Sequence, residues 1–507
     1  MDTEIELKYL VLDDNIAEKI SQLITDLNLD VEQSSQATKV LTNHYFDTPD
    51  LSLRKQDIGL RIRSNGTALE QTIKTAGKVV GGLHQRPEYN VAIDQHFPNL
   101  SLFPSHIWSS EHIVEDLQTD LISLFSTDFT RQVWLITLAN GAKIELVYDN
   151  GSVSSQASGE LKSEAIAEIE LELVTGEVED LLTFAHQLLS RVKVRPGIHS
   201  KAARGYRLAQ GQVFSYQVTP LPLVELNSRG NLVESFAAGL DFSLQNLQQL
   251  VDVYIAQPSL TYLDKISEIL ALLRHGFWLF DEYLSEQAKE VRDELSYFVK
   301  SLTWVDNAMF LKALTKASGN YRKKIEYSQQ LIEQLDLEKR RFPEPEQVLE
   351  LFYSERFNQL QLSLLALLVQ QDALLSDRTK PELQEFASQA LQSSLDNLLS
   401  QTDLNAPMNS EAYLVQRKHL VRSLLTGCWF GSLFDKEARL TFRNPWLDIE
   451  QGISELQTLW ILQQQLNSIS DKPAKLANWL SDKVDGLLLA LNSSLNIATK
   501  VTPYWRL

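Results

Sequence analysis

The segment Glu168-Ile169-Glu170-Leu171-Glu172-Leu173 alternates strictly between a carboxylate and an aliphatic side chain. Such period-two alternation predicts a β-strand with one charged face and one apolar face. Side chains at i and i+2 stand roughly 6.5–7 Å apart along a strand. Three carboxylates in that line repel one another, so their stable neighbours are cations. The same grammar recurs in Glu4-Ile5-Glu6-Leu7-Lys8, Leu60-Arg61-Ile62-Arg63, Thr72-Ile73-Lys74 and Lys143-Ile144-Glu145-Leu146. Glu4 and Glu6 share a face with Lys8, Arg61 shares one with Arg63, and Lys143, Glu145 and Asp149 share another.

One such strand fits the wet face of an ordinary antiparallel sheet, paired to lysines across the ladder. Several together point elsewhere. Carboxylates in a row hold hard divalent cations through oxygen, and Arg and Lys hold phosphate oxygens. A cavity lined by both sets, bridged by metal, is a phosphoryl-transfer or phosphate-hydrolysis site. The apolar partners Ile5, Leu7, Ile62, Ile169, Leu171 and Leu173 then point outward, as in a closed barrel with a polar lumen. Helical spacing over Asn15 to Leu27 and Val178 to Ser190 supplies two amphipathic covers. Asn65-Gly66 and Asp149-Asn150-Gly151 read as hairpin turns.

The chain has 507 residues, enough for several domains. Residues 1–210 form the β-rich part. Residues 211–225, with Gly211, Pro220 and Pro222, read as a linker. Residues 226–507 carry amphipathic stretches at 259–285, 288–316, 321–340, 345–370, 380–401, 411–434, 450–468 and 473–494, which predict an all-α domain of antiparallel helices. The run Leu362 to Val369 reads as a buried core helix. Cys428 is the single cysteine, which excludes a disulfide framework and a Cys-rich metal site. A net charge of −19 argues against non-specific binding to nucleic acid. The charged N-terminus is unlike a signal peptide, and no apolar run reaches the ~18 residues of a membrane span. A cytoplasmic location is expected.

Several segments in order resemble the CYTH superfamily, the triphosphate tunnel metalloenzymes. They are the Glu4–Lys8 motif (EXEXK), Asn43-His44-Tyr45-Phe46-Asp47-Thr48-Pro49, Gly59 to Arg63, Thr72 to Lys74, Gly81 to Tyr89, the Glu168 to Glu172 strand, and Ser200-Lys201-Ala202-Ala203-Arg204-Gly205-Tyr206. The Gly81 to Tyr89 stretch is similar to bacterial inorganic triphosphatases that carry a C-terminal CHAD domain. The resemblance implies an α+β N-terminal domain, an eight-stranded antiparallel β-barrel with a tunnel, followed by an all-α helical-bundle domain. It implies that Glu4, Glu6, Glu168, Glu170 and Glu172 are the catalytic and metal-binding acids. It leaves open which two of the last three are ligands, and Asp149 also reaches toward the metals. Lys8, Arg61, Arg63, Lys74, Arg86, Arg131 and Lys201 match the cationic wall, with Arg204 a further phosphate contact.

The implied reaction is hydrolysis of inorganic triphosphate to pyrophosphate and phosphate with Mg²⁺ or Mn²⁺. A nucleoside or thiamine triphosphatase, or a class IV adenylate cyclase, uses the same fold. A noncatalytic polyphosphate-binding scaffold is the alternative of another class, although pure anion binding gains nothing from five inward carboxylates. His44, His84 and His199 lie near the motif strands, where packing or a hydrogen bond is the plainer role than phosphate binding. Gly81-Gly82 is weak evidence for a phosphate-cradling loop, because no helix pattern follows it.

The helical half departs from the CHAD expectation of a basic, polyphosphate-binding surface. Residues 211–507 hold 28 Lys+Arg against 36 Asp+Glu, with only His275 and His419. Tyr262-Leu263-Asp264-Lys265-Ile266 stands where a His/Arg-rich helix is expected. Two basic patches remain: Lys312, Lys316 and Lys323, on one face if the helix runs through Gly319, and Lys418 with Arg422, beside Arg417 and His419. A solvated helix face accounts for both. A plainer role for this half is to cover the barrel exterior or a tunnel mouth. Trp304, Trp429, Trp446, Trp460, Trp479 and Trp505 read as core.

Overall fold

A computed structural model describes residues 2–506 apart from 33–37, 67, 109–110, 157–158, 214–215, 218–221, 320, 327, 401, 403–405 and 471. Pro220 of the expected linker therefore lies outside the described residues. The chain divides into two compact units. One comprises Met1–Ser215 with Leu351–Val369, the other Tyr216–Glu350 with Gln370–Leu507.

In the first unit the strands are β1 (Asp2–Val11), β2 (Asp30–Val31), β3 (Thr38–Asp47), β4 (Gly59–Ser64), β5 (Leu69–Lys74), β6 (Lys78–Val80), β7 (Leu83–Ile93), β8 (Ile122–Thr137), β9 (Lys143–Ser155), β10 (Lys162–Thr175) and β11 (Val194–Pro196). Its own helices are α1 (Ile16–Asp26), α2 (Ser52–Lys55), α3 (Glu111–Asp120), α4 (Val178–Leu189) and α5 (Lys201–Ala209). Eight strands pair antiparallel in the order β1-β10-β9-β8-β3-β4-β5-β7, and β7 pairs back onto β1. The barrel is therefore closed and has no free edge along this path. The remaining three strands extend its rim by pairing with β8, β7 and β1.

The alternation is inverted relative to a soluble sheet's core. Leu60, Ile62 and Ile73 point out of the barrel and are buried with Phe46, Leu53, Leu100, Phe103 and Leu117 beneath α3 and the segment before it. Helix α4 buries Leu181, Leu182, Phe184, Ala185, Leu188 and Leu189, and α1 buries Ile16, Ile20 and Leu23. Both helices lie where the spacing of their apolar residues placed them. The helix Glu355–Val369, distant in sequence, belongs to the barrel unit and packs against α4 and β11. Gln359 hydrogen-bonds the His186 ring, and its Nε2 donates to the His186 carbonyl at 2.9 Å. The buried run Leu362 to Leu368 is thus core of the barrel unit.

One turn expectation fails. Asp149-Asn150-Gly151 lies inside β9, where Arg131 pairs with Asp149 and Phe129 with Gly151. A Cβ at Gly151 would stand 2.1 Å from the Asp128 carbonyl oxygen and 2.5 Å from Phe129 Cα. The glycine is there for close backbone approach, a role that in sequence looks like turn punctuation. By contrast Gly81 and Gly82, with φ of +55° and +99°, form the two-residue link between β6 and β7.

In the second unit the helices interrupt more often than the amphipathic stretches do. Residues 288–316 divide into Glu286–Ser301 and Val305–Thr315, and 321–340 into Arg322–Ile325 and Gln329–Lys339. The helix containing Lys312 ends at Thr315, so Lys312, Lys316 and Lys323 do not share one helical face. Helix Leu232–Ala256 adds a stretch that the sequence pattern did not single out, and Lys436–Ser468 runs through Pro445. Trp429 centres the packing. A Cβ at Gly239 or Gly276 would come within 1.9 Å of its ring, and its indole N–H donates to the Leu272 carbonyl at 3.0 Å. Trp446 is buried too, but Trp460 is 41% exposed and is not core. Among the described residues no helix is long and apolar enough to cross a membrane.

Candidate active site in the barrel lumen

Strand register sorts the charged residues onto one surface. Across β1 and β10, Glu6 pairs with Glu172 and Lys8 with Glu170. Across β1 and β7, Glu4 pairs with Arg86 and Glu6 with His84. Across β10 and β9, Glu172 pairs with Glu145 and Glu168 with Asp149, which in turn pairs with Arg131 on β8. On the far wall Asn43 pairs with Arg63 and Tyr45 with Arg61. Lys74 pairs with Glu88. Cross-strand partners share a face, so all these side chains line the lumen. Lys201 and Arg204 enter from α5, whose N-cap Ser200 accepts from the Ala203 amide at 3.1 Å.

Helix α5 closes one end. Tyr206 and Leu208 pack among Leu41, Tyr45, Phe125, Phe129, Val153 and Ile166. Gly205 lets the helix sit there, since a Cβ would stand 2.0 Å from Phe125 Cδ2. The Tyr206 hydroxyl donates to Asp47 at 3.0 Å. Asp47 is fully buried and also accepts from the Leu53 and Arg54 amides at 2.8 and 2.9 Å. The Phe46-Asp47-Thr48-Pro49 motif thereby anchors both α2 and α5.

Inside, the charges fall into two groups. In the first, cations match carboxylates. Arg131 grips Asp149 in a fork, with both N–O distances 2.7 Å, and reaches Glu170 at 2.9 Å. Lys201 Nζ lies 2.7 Å from Asp149 and 3.0 Å from Glu170, and also pairs with Glu168. Lys8 meets Glu170 at 2.9 Å. Burial alone would lower the Lys201 pKa, but Glu168, Glu170 and Asp149 overcome it and raise it. For Glu170, burial opposes ionisation, yet Lys201, Lys8 and Arg131 hold its carboxyl well below the usual range.

The second group has a surplus of negative charge. Glu145, Glu172 and Glu6 form one row across β9, β10 and β1, with Glu4 two residues along. Burial first, then Glu4, Glu145 and Glu6, push the Glu172 carboxyl up to about 7, and Lys74 only partly offsets them. Glu4 is raised by burial, although Lys74 pairs with it. On the opposite wall Glu88 meets Lys74 at 3.0 Å and Arg61 at 3.3 Å. Burial opposes its ionisation, but these cations bring its pKa down to about 2. Burial, Arg61 and Arg131 lower the Arg63 pKa to about 10, and its Nε donates to Asn43 at 3.0 Å.

Two places suit a divalent cation by donor chemistry. Oxygens of Asp149, Glu168 and Glu170 lie within 4.8 Å of one another, so this buried triad could hold a metal. The Lys201 ammonium stands among those same oxygens. The row Glu6–Glu172, with Glu4 and Glu145, is a second set of carboxylates on the same wall, in which Lys74 pairs with Glu4 and Lys8 lies 3.7 Å from Glu6.

The lumen thus gathers Glu4, Glu6, Lys8, Arg61, Arg63, Lys74, Arg86, Arg131, Glu168, Glu170, Glu172 and Lys201. Arg204 sits at the α5 end, 3.4 Å from Glu164 and 3.7 Å from Glu168. His44 is exposed, whereas His84 is buried. Glu88 and Asn43 carry polar contacts that the motif reading passed over. Glu88 shares strand parity with Arg86 on β7, a signal legible in the sequence, whereas Asn43 meets Arg63 only through the register of β3 against β4. In the helical unit Arg417 pairs with Asp306 at 2.6 Å and with Glu450 at 3.6 Å, which commits the centre of one basic patch.

The CYTH domain family model matches residues 2–206, and the CHAD domain model matches residues 242–467. The chain is 36% identical over 209 residues to the inorganic triphosphatase of Haemophilus influenzae, covering 41% of this chain and 56% of that protein. It therefore spans about half the length of that curated relative. Solved structures that match part of the chain include a Hippeastrum protein, described as an adenylyl cyclase candidate with a dominant triphosphatase activity. It matches at 18% identity and TM-score 0.29, over 41% of this chain and 97% of that one. The CHAD domain of the plant Ricinus communis matches at 17% identity and TM-score 0.42, over 57% and 99%. Residues 2–206 are thus a CYTH domain, which forms the barrel, and residues 242–467 a CHAD domain, which lies in the helices.

Proposed function

We propose that the barrel, residues 1–210, is a metal-dependent inorganic triphosphatase that releases pyrophosphate and phosphate, with Mg²⁺ or Mn²⁺ as cofactor. The observation that carries this reading is the carboxylate row Glu6–Glu172, with Glu4, gathered with Arg61, Arg63, Lys74 and Arg86 in one closed lumen, where the crowded carboxylates raise the Glu172 pKa. Glu4, Glu6 and Glu172 are the proposed metal-holding acids. Glu168 and Glu170 keep Lys8, Lys201 and Arg131 oriented through ion pairs. A divalent ion at the row would supply charge neutralisation and lower the pKa of a water beside the phosphate chain.

The chain's own residues do the rest. Arg61, Arg63, Lys74 and Arg86 bind phosphate oxygens, and Lys8, Arg131 and Lys201 stabilise charge developing on the leaving group. Arg204 steadies the α5 end of the lumen. Catalysis then rests on position and electrostatics, with no covalent nucleophile. The likeness to the Haemophilus influenzae enzyme supports the triphosphate reading.

The test is phosphate release by the purified protein with Mg²⁺ or Mn²⁺, across triphosphate, pyrophosphate, ATP, thiamine triphosphate and long polyphosphate. Selective turnover of triphosphate, abolished by EDTA, is expected. Preference for ATP or thiamine triphosphate would move the assignment to the nucleoside or thiamine reading. Binding of polyphosphate without turnover would make the protein a scaffold. Polyphosphate is also the proposed partner of the helical domain through its CHAD match, with Lys418 and Arg422 as the residues to titrate against it.

A further inference from the structure

We infer that the helical unit carries a binding site for a small organic carboxylate with a flat apolar body, in a recess beside Arg443 and Trp446. The recess lies wholly within the second unit, and its empty volume, mouth included, is about 340 Å³. That is the lower end of the range for small-molecule pockets and suits a ligand of one ring. Its far wall comes from Tyr504 and Trp505 in the turn Tyr504–Arg506, which lies beyond the residues 242–467 matched by the CHAD model. The walls are aromatic. Phe442 meets Tyr504 and Trp505 edge to face, with ring centroids 5.7 and 5.0 Å apart, and Tyr504 meets Trp505 at 4.9 Å. Such contacts hold the rings in place for an apolar body to pack against.

The polar groups of the recess are donors. Trp446 is 4% exposed, and its indole N–H is buried with no hydrogen-bond partner. The indole donors of Trp429 and Trp505 are both used, by the Leu272 carbonyl and the Gln392 side chain. Buried polar atoms in folded proteins are nearly always satisfied, and an exception calls for a reason. Among the described residues Arg443 forms no ion pair; its Nη2 donates to the Cys428 sulfur at 3.0 Å, a weak acceptor. Arg443 Nη1 and the Tyr504 hydroxyl converge over Gly427, where a Cβ would stand 4.0 and 3.7 Å from them. Burial raises the Tyr504 pKa against the pull of Arg443 and Arg439, so the hydroxyl keeps its proton. No carboxylate lines the recess. An indole N–H, a phenol and a guanidinium without a counter-charge select an anion, and the planar guanidinium matches a carboxylate. One cation balances one charge, which sets this ligand apart from the phosphate chain proposed for the lumen. A cationic ligand is repelled by Arg443 in spite of the aromatic walls.

The experiment is titration of the ¹⁵N-labelled full-length protein with benzoate, and separately with benzamide, benzylamine and inorganic phosphate. The Trp446 indole N–H signal, identified by its loss in Trp446→Phe, is the readout, so anions held in the barrel do not count. Benzoate is expected to move this signal with a Kd of about 1 mM or tighter, at least about tenfold tighter than the other three. Arg443→Gln removes the charge and should weaken benzoate by about tenfold or more. Gly427→Ala places a methyl group at ordinary contact distance from Arg443 and Tyr504, within the helix Ser410–Phe430. Alanine favours a helix over glycine, so this variant folds, and its methyl should weaken benzoate by a similar factor. Benzamide, benzylamine or phosphate binding as tightly as benzoate overturns the inference, and so does a benzoate affinity unchanged in both variants. A Trp446 signal that does not move at about 10 mM benzoate also overturns it and leaves the recess to ordered water.

Discussion

Glu6 and Glu172 stand directly opposite each other on the β1–β10 ladder, both facing the lumen. Glu145 extends the same row on β9. Like charges placed directly across a ladder destabilise it by roughly 0.2–1 kcal/mol per pair. The fold keeps this arrangement, so the row stores a cost that a bound cation would remove. Glu172→Gln should therefore raise the Tm of EDTA-treated protein by about 1–3 °C while abolishing metal-dependent phosphate release. A loss of both stability and activity would mean that Glu172 packs structurally and does not wait for an ion.

The same row gives a pH dependence with a definite sign. The Glu172 carboxyl is raised from 4.5 to about 7. Its neutral form is favoured by the fold, so its contribution to metal-free stability is fully present below about pH 4.5. That contribution is lost as pH rises through about 7. Glu88 runs the other way. Its pKa falls from 4.5 to about 2, so its contribution is present above about 4.5 and is lost as pH falls toward 2. Thermal unfolding in EDTA should show a decline between pH 5 and pH 7 that Glu172→Gln removes. Metal affinity should weaken below about pH 7, because the proton competes for the carboxylate; a flat affinity between pH 6 and pH 8 would rule Glu172 out as a ligand.

Much of this site is visible in the sequence because a strand's period of two writes a lumen directly into alternating letters. Glu4, Glu6, Arg61, Arg63, Lys74, Glu168, Glu170 and Glu172 all announce their common faces locally. What local pattern cannot carry is register. That Glu6 meets Glu172 and His84 depends on pairing between strands well over 50 residues apart, and that Glu168 meets Asp149 depends on the register of the consecutive strands β9 and β10. Hence the sequence leaves the metal-holding acids open, while the paired strands separate Glu172 from the ion-paired Glu168 and Glu170. Asp149-Asn150-Gly151 shows the opposite failure, where a turn signature serves a glycine crowded by Phe129. In the helical half, Pro445 hides the first turns of Lys436–Ser468, since proline usually ends a helix. The helix Glu355–Val369 has the apolar run of any buried helix, and nothing in it says which unit it serves.

Arg61 and Lys74 provide a direct test of the cationic wall. Each holds Glu88, and Lys74 also holds Glu4. Hydrogen bonds to charged groups contribute about 1.5–3 kcal/mol, so Arg61→Ala and Lys74→Ala should each lower kcat/KM for triphosphate by about 10–100-fold. Wild-type kinetics in both variants would mean that neither side chain touches the substrate.

Gly205 tests whether α5 positions the lumen chemistry or merely closes it. The helix carries Lys201 into the group of Asp149, Glu168 and Glu170, and Gly205 sits one turn further along against Phe125. A methyl group there has no room at 2.0 Å from the ring, so Gly205→Ala must push α5 or Phe125 aside. Overpacking of this kind costs about 1–3 kcal/mol, and a lower Tm is expected. The informative quantity is activity measured well below that Tm. If α5 sets the Lys201 ammonium in place, kcat should fall by at least about tenfold, since small displacements of a positioned group are costly in rate. Gly205→Ala with full kcat below its Tm would show that α5 is only a plug. Tyr206→Phe removes only the hydroxyl that Asp47 accepts, so it should reproduce the direction of the kcat effect with a smaller loss of stability.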